Sequence, residues 1–155
     1  NVLALKLDPK VLKEIRVYEG VEDYTNERYL KLIHDNYYPK HVLRIPAEEW
    51  PEDVSNAFAE INFPIYLKMQ GPSEFGIVGD ASLKNWDVTS DLNKIEIPFL
   101  SIGAEHDTMD PKQMEWMADQ VQNGSYLHCP NGSQMAMWDD TENYFRGLIN
   151  FINEL

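Results

Sequence analysis

The sequence predicts an α/β chain: a helical first part, then a small parallel sheet with its own helices. Three observations lead there. Through the first seventy positions, apolar residues recur at helical spacing. After Trp86, short apolar runs alternate with amphipathic ones. Between the two regions, Gly71, Pro72, Gly76 and Gly79 crowd a loop or hairpin signal. Two regions of different character meet near residue 85. With 155 residues, 43% of them apolar, and four Trp, the chain has the size and composition to bury a core.

The elements follow in order. Pro9 to Glu19 carries Val11, Leu12, Ile15 and Tyr18 on one helical stripe, and Asn26 to Tyr38 carries Tyr29, Leu30, Leu32, Ile33 and Tyr37. Glu48, Glu49 and Pro51 open a third helix with Val54, Phe58 and Ile61 inward, and Pro64 is expected to end it. Acidic residues stand at the starts of the second and third helices, where the helix dipole favours negative charge. Trp86-Asp87-Val88-Thr89 offers a helix start capped by Asp87 or Thr89. Ile97 to Ile102 is almost continuously apolar, as in a strand covered on both faces. Pro111 to Val121 is a helix with Met114, Met117, Ala118 and Val121 inward, and Asp110 is a candidate cap. Ser125 to Cys129 is the second strand. Glu142 to Leu155 closes the chain as a helix striped by Tyr144, Phe145, Leu148, Ile149 and Ile152. Two parallel strands leave two open edges, so the reading expects further strands from an N-terminal half or a partner chain.

Composition narrows the function. Thirteen basic against twenty-six acidic residues give a net charge of −13, which opposes binding to nucleic acid or to an anionic membrane surface. That charge serves solubility, or a field that favours cationic ligands such as a free amino terminus. The single cysteine, Cys129, excludes an internal disulfide and a multi-cysteine zinc site, and its apolar setting marks a buried thiol. No apolar run is long enough to span a membrane. No phosphate loop, metal-ligand cluster or dinucleotide fingerprint occurs, so neither a metal nor a cofactor is expected. A cytoplasmic setting fits these features.

The residues that carry chemistry lie at strand ends. Ligands on an α/β sheet bind beyond the carboxyl ends of its strands. Asp107 falls just past the first strand and Gln134 just past the second, so the two are expected side by side at one sheet edge. An Asp after a strand also begins turns and caps helices, so Asp107 alone is weak evidence. A carboxamide cannot take a proton near neutral pH, so Gln134 is no general base, although it can preserve a site's shape by hydrogen bonding. His106 is expected to point away from Asp107, and His128 lies within a strand; neither is expected to supply a base. Glu74, in the turn Gly71-Pro72-Ser73-Glu74-Phe75, reads on its own as a solvated loop carboxylate. No G-x-S-x-G nucleophile elbow occurs in the chain.

With those residues laid out, the chain from about Tyr24 onward resembles proline iminopeptidases, serine peptidases of the α/β-hydrolase fold, and the related amino-acid amidases. Met69-Gln-Gly-Pro-Ser-Glu-Phe75 is similar to the family's G-P-N-E-F stretch. Leu83-Lys-Asn-Trp-Asp-Val-Thr89 is similar to its L-K-D-W-D-x-T run. Gly132-Ser-Gln-Met-Ala-Met-Trp-Asp139 is similar to its S-H-x-x-M-W/Y-x-D, with Gln in place of His. The resemblance implies that residues 1–82 form a helical cap and residues 83–155 the last parallel strands and helices of the core. The early strands and the nucleophilic serine would come from an N-terminal half, in the same gene product or a separate chain. It implies Asp107 as the triad acid, Gln134 at the general-base position, and Glu74 as the carboxylate that binds a substrate's free α-amino group. Phe75, Tyr66 and Trp86 are candidates to line an apolar pocket, with core packing expected for Trp86. Thr108 stands where family peptidases often carry a second glutamate, so beside a peptidase or amidase acting on a small peptide or amino-acid amide, an esterase of the same fold is also an expectation. As it stands the chain is expected to be inactive. The rival expectations are a binding protein that keeps the cleft, and an independent acidic helical module.

Overall fold

A computed structural model describes residues 2–155, which fall into two compact units. The first runs up to Lys40 and resumes over Ile45–Trp86; the second comprises His41–Arg44 and Asp87–Leu155.

The first unit is helical. α1 spans Pro9–Gly20, opened by Asp8, whose carboxylate accepts from the Lys10 N–H, with Pro9 in the first turn. α2 spans Glu27–Asn36 and is capped by Asn26 in the same way. A single turn, α3, follows at Tyr38–His41. Ile15, Tyr29, Leu32, Ile33 and Tyr37 interlock as the core of this unit, and Phe75 joins them from the glycine-rich loop. These are the apolar positions that helical spacing selects.

α4 covers Glu52–Ala59, and the chain then departs from expectation. Pro64 does not end a helix; it sits in the first turn of another, α5, over Phe63–Met69. A proline there loses no hydrogen bond, because first-turn N–H groups have no helical acceptor. Asn62 caps the new helix by accepting from the Ile65 N–H. Trp86 also differs from expectation: it is 64% exposed rather than packed in a core.

The second unit holds the sheet. β1 (Phe99–Ala104) and β2 (Gly124–Cys129) pair in parallel, from Phe99 opposite Gly124 to Ala104 opposite Cys129, with α6 (Pro111–Gln120) as the crossover. The first strand starts later than its apolar run because Pro98 has no N–H for the ladder; the first bond is Phe99 N–H to the Asn123 carbonyl. Asp110 caps α6 as expected. A short turn, α7 (Ala136–Asp139), leads into α8 (Thr141–Asn153). Only Ser101, Gly103, Ala104 and Cys129 of the two strands are buried, so neither strand is covered on both faces within this chain. On α8, Tyr144 and Leu148 are partly buried, whereas Phe145, Ile149 and Ile152 face outward. Among the described residues no helix is long and apolar enough to cross a membrane.

Candidate functional site

The parallel pairing continues past the strands and brings two loops together. Beyond Ala104, the Glu105 N–H donates to the Cys129 carbonyl and the His106 N–H to the Gly132 carbonyl. The Asp107 N–H turns back to the Ala104 carbonyl, which swings the next side chain over the sheet edge. Asp107 is 8% exposed. Its Oδ1 accepts from the Met109 N–H at 3.1 Å and from the Thr108 hydroxyl at 3.2 Å. Burial raises the carboxyl above the ordinary range, and these two bonds oppose that rise.

Gln134 meets Asp107 through Thr108. The Thr108 hydroxyl lies 2.9 Å from Gln134 Oε1, so its one proton is shared between Gln134 and Asp107. The expected juxtaposition at the sheet edge is therefore present, with a hydroxyl between the two side chains. This role for Thr108 has no signal in a strand-end pattern; it depends on the turn that follows Asp107.

A four-residue segment clasps the Gln134 loop. The N–H groups of Gln134 and Met135 donate to the carbonyls of His41 and Val42. The buried Ser133 hydroxyl shares its one proton between the Val42 carbonyl at 2.9 Å and Asp139 at 2.5 Å. The Arg44 N–H reaches Asp139, and its guanidinium reaches the Asn131 carbonyl. His41 is buried, and its Nδ1–H donates to the His106 carbonyl at 2.8 Å. The segment ties both loops in place. The fully buried pair Val42-Leu43, between the second and third helical stripes, is the one trace of it in the sequence.

The other candidates do not stand at the sheet edge. His128 points from β2 toward Tyr126, 3.2 Å away, and toward Glu105. Cys129 is fully buried, and burial pushes its thiol up to about 11, which leaves it inert as a nucleophile near neutral pH.

In the first unit, Glu74 is held by its neighbours rather than solvated. Its Oε1 accepts from the Tyr66 hydroxyl at 2.6 Å and its Oε2 from the Gln70 amide at 3.2 Å. Its backbone N–H donates to the Tyr38 hydroxyl. Burial, then the bond to Glu74, raises the Tyr66 phenol well above its usual value, so it is a firm donor. Phe75 is 3% exposed and meets Tyr37 edge to face at 5.0 Å, which anchors the loop that carries Glu74.

The comparisons with known proteins agree on a family. All 155 residues align at 46% identity with a proline iminopeptidase of Elizabethkingia meningoseptica and at 48% with one of Flavobacterium johnsoniae, in each case over 51% of the relative. By sequence, this chain is similar to one half of the proline iminopeptidases. It spans about half the length of these curated relatives, their C-terminal half. No family model matches. Among solved structures, the crystal structure of VinJ superposes with a TM-score of 0.87 at 28% identity, over 99% of this chain and 51% of that one. A proline iminopeptidase of Mycobacterium smegmatis superposes with a TM-score of 0.79 at 25% identity, over 98% and 50%. The fold is accordingly the C-terminal part of an α/β hydrolase.

Proposed function

We propose that this chain supplies the acid and the base position of an acyl-transfer site whose nucleophilic serine lies on the N-terminal half of the hydrolase fold. One observation carries the reading: Asp107 and Gln134 meet through Thr108 beyond the carboxyl ends of adjacent parallel strands. In a working site the serine attacks an amide carbonyl, a base at position 134 takes the serine proton and passes it to the leaving nitrogen, and Asp107 orients that base. Glu74 pairs with the free ammonium of a small peptide or amino-acid amide, and residues 1–82 act as the cap. The setting is cytoplasmic. Gln134 has no basic nitrogen, so the chain as it stands does not turn over.

The test joins this chain, carrying Gln134→His, to the N-terminal half of the Flavobacterium johnsoniae relative. The hybrid is expected to hydrolyse L-prolyl-p-nitroanilide, and the same hybrid with Gln134 retained to be slower by about three orders of magnitude or more. A folded Gln134→His hybrid that neither turns over nor reacts with a fluorophosphonate probe overturns the reading. Gln134 also supports a second one, a binder without turnover, because Thr108 already satisfies its carboxamide oxygen. That reading expects the hybrid with Gln134 to bind L-prolinamide and leave it intact.

A further inference from the structure

Tyr66 and Gln70 stand four apart on α5, so both side chains leave one face of the helix. The chain must then reverse sharply to bring Glu74 back over that face. Gly71 makes the reversal, at φ +128°, where a side chain is strained and a Cβ would lie 2.6 Å from Val78 Cγ2. The loop is fixed further by the Phe75 N–H to the Ser73 hydroxyl and by the Glu74 N–H to Tyr38.

The outcome is a carboxylate held from both sides. Tyr66 binds one oxygen and Gln70 the other, and the Gln70 amide also reaches the Tyr66 hydroxyl at 3.1 Å and the Ser73 carbonyl at 3.2 Å. A carboxylate offers two acceptor directions on each oxygen. The clamp uses one on each and leaves one on each, so a cationic donor still finds two acceptors on a carboxylate that no longer rotates. We infer that Tyr66 and Gln70 are positioning residues that hold the Glu74 carboxylate in one orientation for a substrate's ammonium group. The inference rests on the proposed role of Glu74 and adds what makes that role effective: a glutamate with free torsions loses entropy on binding, whereas a clamped one has lost it in folding.

Two readouts on this chain test it separately. The first is the carboxyl carbon resonance of Glu74 by NMR. Tyr66→Phe and Gln70→Met should each displace it, and Tyr126→Phe in the second unit should not; an unmoved resonance in the first two variants overturns the clamp. The second is affinity for L-prolinamide, with N-acetyl-L-prolinamide as the blocked control. Each clamp variant should bind the free amine about tenfold more weakly, the loss expected for one hydrogen bond to a charged group. Equal affinity in variants whose resonance has moved overturns the positioning role and leaves the contact standing. If the unaltered chain does not distinguish the free from the blocked amine, Glu74 is not an amine anchor and the positioning role falls with it, whatever the resonance reports.

Discussion

Asp107 is a buried carboxylate with no cation beside it among the ion pairs of the described residues. Its folded-state pKa stands above the ordinary 3.8, so the folded protein holds the proton more tightly than the unfolded chain does. Stability attached to this group is greatest at low pH and is lost as pH rises from about 3.8 through the raised value. Asp107→Asn keeps an acceptor for the Met109 N–H and removes the titration. Its melting temperature should therefore fall less than the parent's between about pH 3.5 and 6.5; parallel curves would refute this. Thr108→Val removes the shared hydroxyl at nearly constant shape, and should cost about 1 kcal/mol in urea unfolding. The places of Asp107 and Gln134 were legible in the sequence, because strands alternating with helices put successive strand ends at one edge. The Thr108 bridge and the Glu74 clamp were not. Each depends on a backbone reversal that brings near neighbours face to face, and apolar spacing carries no record of it.

Among the described glycines, Gly124 marks the tightest approach, that of β2 to α6. A Cβ on Gly124 would stand 1.9 Å from the Ala118 carbonyl oxygen, a backbone atom that cannot swing aside. Gly124→Ala must separate the helix from the strand, and a loss of about 1–3 kcal/mol is expected by chemical denaturation. A loss below half a kcal/mol would mean that the crossover is looser than drawn. The first two helices were plain in the sequence because their stripes meet each other in one core. α5 is hidden in the sequence because proline inside a helical pattern signals a stop as readily as a first turn, and Pro64 is in a first turn. β1 begins two residues inside its apolar run, since Ile97 and Pro98 precede the ladder. The stripe of α8 was read correctly as a pattern, but only part of it is covered here.

For the molecule as a whole, acidity and apolar exposure pull in opposite directions. Phe145, Ile149 and Ile152 project from α8, and Ile61, Phe63, Ile65, Leu67 and Met69 lie exposed on and beside α5. Such surface favours association, whereas a net charge of −13 opposes it by mutual repulsion. Screening the charge should tip the balance. Raising salt from about 0.02 to 0.5 M shortens the Debye length from roughly 20 Å to about 4 Å, and should increase the weight-average mass of the isolated chain in sedimentation. A mass that falls or holds with added salt would show that the apolar faces do not drive contact. The segment His41–Arg44 has a different bearing. Those four residues lie between α2 and α4 in the chain, yet they grip the loops of Asp107 and Gln134. Recombination that exchanged the helical region for another's would have to carry this tetrapeptide unaltered, or release the rim that bears the acid. A break at Trp86 would therefore part these four residues from the loops they hold.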